Sequence, residues 1–321
     1  MNCLCCGKPI LAAASEQEQV DGWHTACLKK FFGTGKMPAI DISEPNLQRI
    51  AVESTNKGYT VPGVQKKLSL HLISGRDPRL TLVNYPMGYI LKPQTEEFTA
   101  LPEAEFLVMQ MAKASGIRVV PFALLKMNDS LAYITRRVDR IISNKKNVPP
   151  KLLAMEDFCQ LDGRLTADKY RGSYERCAKI ISEYSANTGL DLSELFLRLV
   201  FSYAVGNSDM HLKNFSLIET AEGSAQYVLS DAYDLLPVNV VMPADTEQLA
   251  LTLHGKKRNL RKHDFLKFAD TCAIPEASAR KMIEKIASMQ PLYLAMCKAS
   301  YLPQDMKDRL ADLICNRIAN L

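Results

Sequence analysis

The order of strand-like and helix-like segments between residues 60 and 138 restricts the fold of this chain more than any other feature. A glycine-containing turn comes first, and three segments with the alternating apolar pattern of strands follow it. A segment with helical spacing then begins near a proline and ends at a glycine, and two more strand-like segments come after it. In chain order these are "TVPG", "LSLHLI", "RLTLVN", "GYILKP", "LPEAEFLVMQMAKASGI", "VVPFALLKM" and "SLAYITRRV". The order predicts a sheet whose strands are separated along the chain by one helix.

Three groups in this region are suited to holding the phosphates of a nucleotide. A glycine turn that opens a hairpin, as at Gly63, can direct backbone N–H groups at phosphate oxygens. Lys92 ends the third strand and can reach the same phosphates, while Glu105 in the following helix can hold that lysine in place. Each group also has a simpler interpretation, as a turn residue, a solvated strand-end charge or a carboxylate near a helix start. Their order nevertheless indicates the small lobe of a protein-kinase fold.

The segment "GNSDMHLKNF" combines acidic, amide and basic side chains in one short loop. It follows an apolar helical segment that ends at Gly206, and a predicted hairpin connects it to Asp231 and Asp234. Phosphoryl transfer uses an aspartate that orients or accepts the proton of the attacking hydroxyl, with an asparagine and a second aspartate that hold magnesium. The alternative interpretation is a helix C-cap followed by a surface hairpin. Because Asp209 and Asn214 share this loop, we predict a magnesium–ATP site here.

Two further residues of this loop have candidate roles. Lys213 can steady the phosphoryl group during transfer, and His211 can brace the loop. A single histidine in a loop is as often a packing residue, so both interpretations of His211 stay open.

A cysteine and histidine cluster lies at the N-terminus. Cys3 and Cys6 form one closely spaced pair, and His24 and Cys27 form a second pair further along the chain. Two such pairs are typical of a structural zinc site, in which four protein ligands close the coordination sphere. Cys5 competes with Cys6 as a ligand, and the alternative is a group of reduced thiols in a frayed terminus. Since so short a segment has little core of its own, metal binding would supply its folding free energy.

The composition is that of an ordinary soluble globular protein, with 47% hydrophobic and 23% charged residues. No apolar segment is long enough to span a bilayer, and the N-terminus lacks the pattern of a signal peptide. Nine cysteines, an odd number, indicate reduced thiols and a local metal cluster. We therefore expect a cytoplasmic protein without membrane contact. The net charge of +5 permits an acidic partner without requiring one.

Several motifs in this chain resemble the HipA-like serine/threonine kinase toxins of bacterial toxin–antitoxin systems. The matching segments are "TVPGVQKK", "YILKP", "EAEFLVMQMA", "RRVDR", "EDFCQ", "GNSDMHLKNFSL" and "LSDAYDLLP", and they occur in family order. The resemblance implies an α+β, two-lobed protein-kinase-like fold with a mixed-sheet small lobe. The expected parts are a zinc-ribbon or treble-clef-like Cys/His module over 1–35, a small lobe over 36–138 and a large lobe over 139–321. Helical periodicity over 173–205, 263–271, 277–298 and 304–320 agrees with a helical large lobe.

The resemblance also implies roles for individual residues. Asp209 corresponds to the catalytic base, Asn214 and Asp234 to the magnesium ligands, and Lys92 to the phosphate-binding lysine. Asp231 is expected to support the site from beside Asp234. The implied ATP-binding residues are Pro62, Gly63, Val64, Gln65, Lys66, Lys67, Lys92, Glu105, Arg136, Arg137, Val138, His211, Asn214, Tyr233 and Asp234. Among these, residues 62–67 would form the phosphate loop and 136–138 the hinge that contacts adenine.

The family resemblance implies phosphorylation of a cytoplasmic protein, in known members an aminoacyl-tRNA synthetase, which stops translation. It also implies a DNA-binding antitoxin as partner, with DNA contact only through that complex. Full-length relatives begin with an additional small subdomain, and here the Cys/His module stands in its place. This resembles the short kinases of tripartite operons, in which a separate small protein replaces the missing subdomain.

Thr60 stands where the family carries a serine whose autophosphorylation expels the phosphate loop from the nucleotide site. Threonine also accepts phosphate, and the added charge of about −1.5 to −2 would be repelled by bound ATP. Some relatives have a second serine two residues later, where this chain has Pro62. The resemblance thus implies Thr60 as the single autophosphorylation site, the alternative being a β-branched strand residue.

Two other functions use the same motifs. One is a catalytically silent, kinase-shaped scaffold in an antitoxin–DNA repressor complex, and the other is a kinase of small molecules. A silent scaffold would be expected to have lost at least one of Lys92, Asp209, Asn214 and Asp234, and this chain has all four. The sequence therefore favours a serine/threonine protein kinase.

Overall fold

A computed structural model describes residues 1–40, 67–81, 88–127, 129–141 and 151–321. The chain divides into two compact units, which are treated separately below. The first unit comprises Met1–Phe106 and Val120–Lys151, and the second comprises Leu107–Val119 and Leu152–Leu321. The predicted mixed helix and sheet fold is confirmed. None of the helices in these ranges has both the length and the apolar character needed to cross a bilayer.

The first unit is built on a sheet of six strands in the order β1-β3-β2-β4-β6-β5, counted over the described residues. Only β1 and β3 pair in parallel, and the other pairs are antiparallel. The register sets Lys92 of β4 opposite Tyr133 of β6. The strands are β1 (Ala39–Ile40), β2 (Leu68–Ile73), β3 (Arg79–Thr81), β4 (Tyr89–Lys92), β5 (Phe122–Met127) and β6 (Ser130–Arg136). The strand-like segments of the sequence thus form strands of one sheet, and they follow one another along the chain as predicted.

Helix α3 (Leu101–Ala114) lies between β4 and β5 in the chain, as its helical spacing predicted. It ends two residues before Gly116, whose φ of 82° suits the left-handed conformation that glycine adopts without strain. In the first unit, Phe106 of this helix packs edge-on against Phe122 of β5, with ring centroids 5.6 Å apart. Apolar side chains from the helix start and the sheet therefore share one core.

Two short helices of the N-terminal segment, α1 (Glu16–Asp21) and α2 (Thr25–Phe32), belong to the same unit. The hydroxyl of Ser15 accepts a hydrogen bond from the backbone N–H of Glu18 and caps α1. The apolar face of α2 packs into a cluster of aromatic rings formed by Trp23, Phe31, Phe32 and Tyr89. Because Tyr89 belongs to β4, this cluster joins the N-terminal segment to the sheet.

The second unit is mostly helical. Its largest helices are α5 (Tyr174–Tyr184), α6 (Thr188–Ala204), α8 (Lys262–Thr271), α9 (Glu276–Ser288), α10 (Gln290–Ala299) and α11 (Gln304–Ile318). Short helices α4 (Phe158–Leu161) and α7 (Val238–Val241) accompany them. Strands β9 (Met155–Asp157), β10 (Ser216–Glu219) and β11 (Tyr227–Leu229) form an antiparallel sheet with β10 in the centre. Short strand β7 (Arg140–Ile141) belongs to the first unit, and β8 (Lys151–Leu152) lies where the chain passes from the first unit into the second.

Helix α6 lies at the centre of the second unit, because every residue from Leu195 to Ala204 is buried. The chain leaves this helix through Gly206, which has a φ of 71°. This left-handed conformation suits glycine, and a Cβ atom there would also require the Leu313 side chain, whose carbons would lie 2.9 Å away, to shift. The polar loop predicted to carry chemistry therefore begins from a rigid, buried helix end.

Candidate functional site

In the first unit, Lys92 and Glu105 form a buried ion pair. The Lys92 Nζ atom lies 2.6 Å from Glu105 Oε1, and the two side chains are 2% and 0% exposed. The same ammonium group lies 5.2 Å from the centroid of the Tyr133 ring, within the range of a cation–π interaction. Strand β4 and helix α3 thus bring together the two residues that the sequence suggested as partners.

The residues expected to form the hinge lie at the end of β6. The backbone N–H of Arg136 donates to Pro121 O, and that of Arg137 donates to Gly88 O. The guanidinium of Arg137 also donates two hydrogen bonds to Asp139, over 3.0 and 2.7 Å. Backbone hydrogen bonds therefore fix this segment, which continues into Val138, and Asp139 holds one of its two arginines.

Of the residues predicted to form the phosphate loop, the structure describes only Lys67. Lys67 directly precedes β2. Residues 62–66 and Thr60 lie outside the described residues, so their predicted roles stay predictions.

In the second unit, the loop after α6 brings Asp209 and Asn214 together. The side-chain amide of Asn214 donates to the backbone oxygen of Asp209 over 2.7 Å. A short 3₁₀ helix, Leu212–Asn214, closes the loop before β10. The Asp209 side chain is 36% exposed, whereas Asn214 is buried. The loop therefore presents one carboxylate to solvent and fixes the amide beneath it.

His211 is a buried, neutral member of this loop. Burial lowers its pKa to about 4, although the nearby charge of Asp209 acts in the opposite direction. Its Nε2 atom lies 3.9 Å from Asp209 Oδ1. Within the described parts of the chain, its Nδ1 atom has no hydrogen-bond partner. His211 is therefore neutral at physiological pH, and its predicted roles as a brace of the loop or as a packing residue both stay predictions.

Lys213 is held by a carboxylate of the preceding sheet. Its Nζ atom lies 2.5 Å from Asp157 Oδ2, and both side chains are largely buried. Asp157 also caps α4 in a capping box with Gln160. Tyr233 fixes the same region from the other side, because its hydroxyl donates to Lys213 O and lies 2.5 Å from Ser216 Oγ. Asp157 was not among the residues that the sequence singled out for the site.

The two aspartates that follow β11 lie in different surroundings. The charge of Asp231 stabilises the protonated form of Arg198, a buried arginine that also donates to Ser230 O. The charge of Asp234 bears instead on His211, whose pKa it raises slightly against the larger effect of burial. Asp234 has a φ of 56°, an uncommon conformation for a residue other than glycine. Of the two, Asp234 is therefore the aspartate whose charge acts on the Asp209 loop.

Tyr170 is a residue of this site that the sequence did not indicate. Its hydroxyl donates to Asp209 Oδ1 over 2.5 Å, and its ring packs edge-on against His211 at 5.0 Å. Burial raises the pKa of Tyr170, and the hydrogen bond to Asp209 raises it further, so the phenol stays protonated. The two residues are separated by 39 positions, and no local pattern marks the connection.

In the N-terminal segment, the four predicted metal ligands converge. One ligand atom from each of Cys3, Cys6, His24 and Cys27 lies within 4.8 Å of all the others. His24 Nδ1 lies 3.4 Å from Cys6 Sγ and 3.9 Å from Cys27 Sγ. Cys5, the competing ligand of the sequence interpretation, is not a member of this group. We refer to these four side chains as the Cys/His cluster.

A family model described as the HipA-like C-terminal domain matches residues 59–292. The chain belongs to this family. A "Putative kinase" of Haemophilus influenzae is 27% identical over 287 residues, covering 83% of this chain and 82% of that protein. The serine/threonine-protein kinase toxin HipA of Shewanella oneidensis is 23% identical over 274 residues, covering 79% of this chain and 60% of that protein.

A solved structure supports the same fold. It is the complex of Shewanella oneidensis HipA with HipB and its operator DNA, and it matches with a TM-score of 0.67 and 20% sequence identity. The match covers 81% of this HipA-like chain and 64% of the other chain. The predicted family resemblance and kinase-like fold class are therefore confirmed, and relatives in the family are named as kinases.

Proposed function

We propose that this HipA-like protein transfers the γ-phosphoryl group of magnesium-bound ATP to a serine or threonine hydroxyl of a cytoplasmic protein. The observation that carries the proposal is the loop of the second unit, in which Asp209 is exposed while the Asn214 amide is bound to its backbone. Phosphoryl transfer needs little covalent chemistry from the protein and depends on positioned charges. The Lys92–Glu105 pair supplies one such positioned charge.

Asp209 acts on the acceptor in this proposal. A carboxylate at this position orients the incoming hydroxyl and takes its proton as the oxygen attacks phosphorus. The Tyr170 hydroxyl occupies Oδ1 of Asp209, which leaves the other oxygen for the acceptor. Because His211 is neutral and buried, no neighbouring imidazolium competes for that carboxylate at physiological pH.

Asn214 and Asp234 would hold magnesium. The hydrogen bond from the Asn214 amide nitrogen to Asp209 O fixes the side-chain plane, so the amide oxygen remains for a cation. Asp234 contributes a carboxylate, and oxygen donors of these two kinds suit magnesium. When bound, magnesium would neutralise charge on the phosphate oxygens. The ammonium of Lys92, held by Glu105, would contact phosphate oxygens directly.

The role as the toxin of a type II toxin–antitoxin system draws its support from the relatives. One relative is named a serine/threonine-protein kinase toxin, and a HipA structure contains HipB and operator DNA. We propose a DNA-binding antitoxin as partner and an aminoacyl-tRNA synthetase as target, with translation arrest as the outcome. A small separate protein, as in the tripartite operons whose short kinases this chain resembles, is a second proposed partner. Autophosphorylation at Thr60 would switch the enzyme off.

The test is transfer of γ-labelled phosphate from Mg-ATP into a cytoplasmic extract by the wild type and by Asp209→Asn. This substitution keeps the size of the side chain and removes its basic carboxylate. We expect labelling of an extract protein to fall by about 10²–10⁴-fold in the variant. Absence of label with wild-type protein that binds ATP and carries no phosphate by mass would instead favour a silent scaffold.

The substrate class and the regulation need separate measurements. Phosphoamino-acid mapping of the labelled protein distinguishes a serine or threonine acceptor from other acceptors, and labelling of small metabolites alone would contradict the protein-kinase proposal. Intact mass after incubation with Mg-ATP, for the wild type and Thr60→Ala, tests autophosphorylation. A mass gain that persists in Thr60→Ala would move the modification to another residue.

A further inference from the structure

We infer that the Cys/His cluster binds one structural zinc ion, and that this ion fastens the N-terminal segment to the edge of the six-stranded sheet. This inference does not depend on the proposed kinase activity. It rests on the positions of Cys3, Cys6, His24 and Cys27 and on the contacts that their segment makes within the first unit.

All four ligand atoms lie within 4.8 Å of one another, and the two separations from His24 Nδ1 to sulfur fit a tetrahedral zinc ion. With Zn–S bonds of about 2.3 Å and Zn–N bonds of about 2.0 Å, neighbouring ligand atoms lie roughly 3.5–3.8 Å apart. His24 Nδ1 lies 3.4 and 3.9 Å from the sulfur atoms of Cys6 and Cys27. Three thiols and one imidazole form a donor set typical of closed, structural zinc sites.

The surroundings of the ligands are also those of a metal site. His24 Nε2 lies 3.3 Å from Pro9 O, and donation of its proton to that carbonyl leaves Nδ1 as the lone-pair atom facing the thiols. The backbone N–H of His24 donates to Cys3 Sγ over 3.4 Å, which fixes the position of that sulfur atom. Gly7, with a φ of 73°, completes the turn that sets Cys3 and Cys6 on one side. The N-terminal turn of α2 holds Cys27 beside His24.

The same N-terminal segment covers the edge of the sheet that strand β5 forms. Strand β5 ends the strand order, and its Leu124 has a backbone N–H that donates to Leu4 O over 2.8 Å. The indole N–H of Trp23 donates to Leu124 O over 3.1 Å. Lys126 Nζ adds a bond of 2.6 Å to Val20 O. Since Leu4 and Trp23 are neighbours of the ligands in sequence, holding the ligands together also holds the groups that cap this strand edge.

The consequence is that zinc stabilises the sheet that carries Lys92. The segment 1–35 has two short helices and is too small to bury a core of its own, so metal coordination supplies order that its own packing cannot. Loss of the ion would free the β5 edge and the aromatic cluster around Trp23. The expected role is structural, because four protein ligands leave zinc no position for a substrate.

The first experiment measures metal content of the purified full-length chain by mass spectrometry. The variants Cys6→Ser and Cys27→Ser are compared with the matched control Cys5→Ser, which removes a neighbouring thiol outside the cluster. We expect about one zinc per chain in the wild type and in Cys5→Ser, and loss of most of it in the other two variants. Loss in Cys5→Ser with retention in Cys6→Ser would overturn the assignment of Cys6.

The second experiment needs no substitution and remains informative if the variants fail to fold. Zinc is removed from the wild type under reducing conditions and cobalt is added. A tetrahedral cobalt–thiolate site gives intense visible absorption, and we expect this spectrum to appear and to vanish when zinc is returned. A reduced wild-type chain that binds neither metal would overturn the proposal and identify the cluster as free thiols.

Three measurements test whether zinc fastens the N-terminal segment to the sheet. Trp23 is the only tryptophan and is fully buried, so its emission reports on the N-terminal segment and should move to longer wavelength when zinc leaves. Hydrogen exchange should speed up in a peptide that contains Leu124 and stay unchanged in helix α9 of the second unit. The unfolding temperature should fall by at least about 5 °C. Zinc release that leaves all three signals unchanged would contradict the fastening role.

Discussion

The hydroxyl of Tyr170 donates a hydrogen bond of 2.5 Å to the carboxylate of Asp209. The ring is fixed by its contact with His211, and the backbone of its neighbour Lys169 accepts a hydrogen bond from Leu212 N. The proposed catalytic base is therefore oriented by a residue from a distant part of the chain. In the proposed reaction Tyr170 is a positioning residue, since its hydroxyl acts through Asp209.

Replacing Tyr170 by Phe should reduce kcat and leave the KM for Mg-ATP nearly unchanged. The ring contacts remain, but the carboxylate loses the hydrogen bond that fixes its orientation, which we expect to cost roughly tenfold in kcat, or about 1.4 kcal/mol. The measurement is steady-state phosphorylation of the identified substrate. Tyr184→Phe is the control, since both tyrosines are 44% exposed and Tyr184 lies on α5, outside this loop. A higher rate in Tyr170→Phe would show that the phenol competes with the acceptor.

Substitutions at the buried pair of Lys92 and Glu105 should affect the free energy of unfolding and the kinase activity differently. Lys92→Met should lower the free energy of unfolding by about 3–5 kcal/mol, because it leaves the Glu105 carboxylate buried without this cation. The double variant Lys92→Met/Glu105→Leu should recover most of that stability, since two apolar side chains replace two buried charges. Both variants should lack kinase activity. Urea unfolding of the wild type, Lys92→Met, Glu105→Leu and the double variant measures the coupling between the two residues, and additive losses would contradict it.

Magnesium dependence should distinguish the two aspartates that follow β11. In Asp234→Asn, the magnesium concentration for half-maximal activity should rise more than about tenfold, which corresponds to roughly 1.4 kcal/mol of lost binding. In Asp231→Asn, it should change much less, because that carboxylate acts on Arg198. The measurement is a magnesium titration at saturating ATP. A larger effect of Asp231→Asn than of Asp234→Asn would identify Asp231, and not Asp234, as the magnesium ligand.

The buried His211 should make stability depend on pH. Its pKa is lowered from 6.5 to about 4 by burial, so the unfolded chain binds a proton at a higher pH than the folded chain does. Stability from this group is complete above about pH 6.5 and is lost as the pH falls towards 4, by about 3 kcal/mol in total. His211→Asn, which cannot titrate, should show a shallower fall in the free energy of unfolding over this range.

The comparison isolates His211 from the carboxylates that also titrate below pH 6. An identical pH slope in the wild type and in His211→Asn would contradict the neutral, buried state of this imidazole. NMR of the His211 ring protons gives an independent check, since their shifts should stay constant above about pH 5.

Local patterns in the sequence determined the elements and much of the candidate site. The alternation that predicted β2 and β4, the helical spacing of α3 and the spacing of the two ligand pairs all depend on residues close together in the chain. The loop that carries Asp209 and Asn214 could be recognised for the same reason.

The break between helices α5 and α6 is a feature that local sequence patterns did not predict. Residues 173–205 have continuous helical periodicity, but the structure has two helices, α5 and α6, separated at 185–187. The carboxylate of Asp191 accepts hydrogen bonds from Ser185 Oγ and from the distant Leu229 N, and Ala186 N donates to Tyr227 O. These contacts with β11 compensate for the helical hydrogen bonds that the break removes. They depend on residues distant in the chain, so the spacing of apolar residues does not reveal them.

Tertiary structure alone decided the partners of the polar side chains. Tyr170 contacts Asp209 across 39 residues, Lys213 contacts Asp157 across 56, and Trp23 contacts Leu124 across 101. A side chain's type states which bonds it can make, whereas the packing of helices and sheets decides which groups come within bonding distance. The sequence therefore determined which chemical groups this protein carries and on which elements, and the tertiary structure determined which of them orient, neutralise or hold one another.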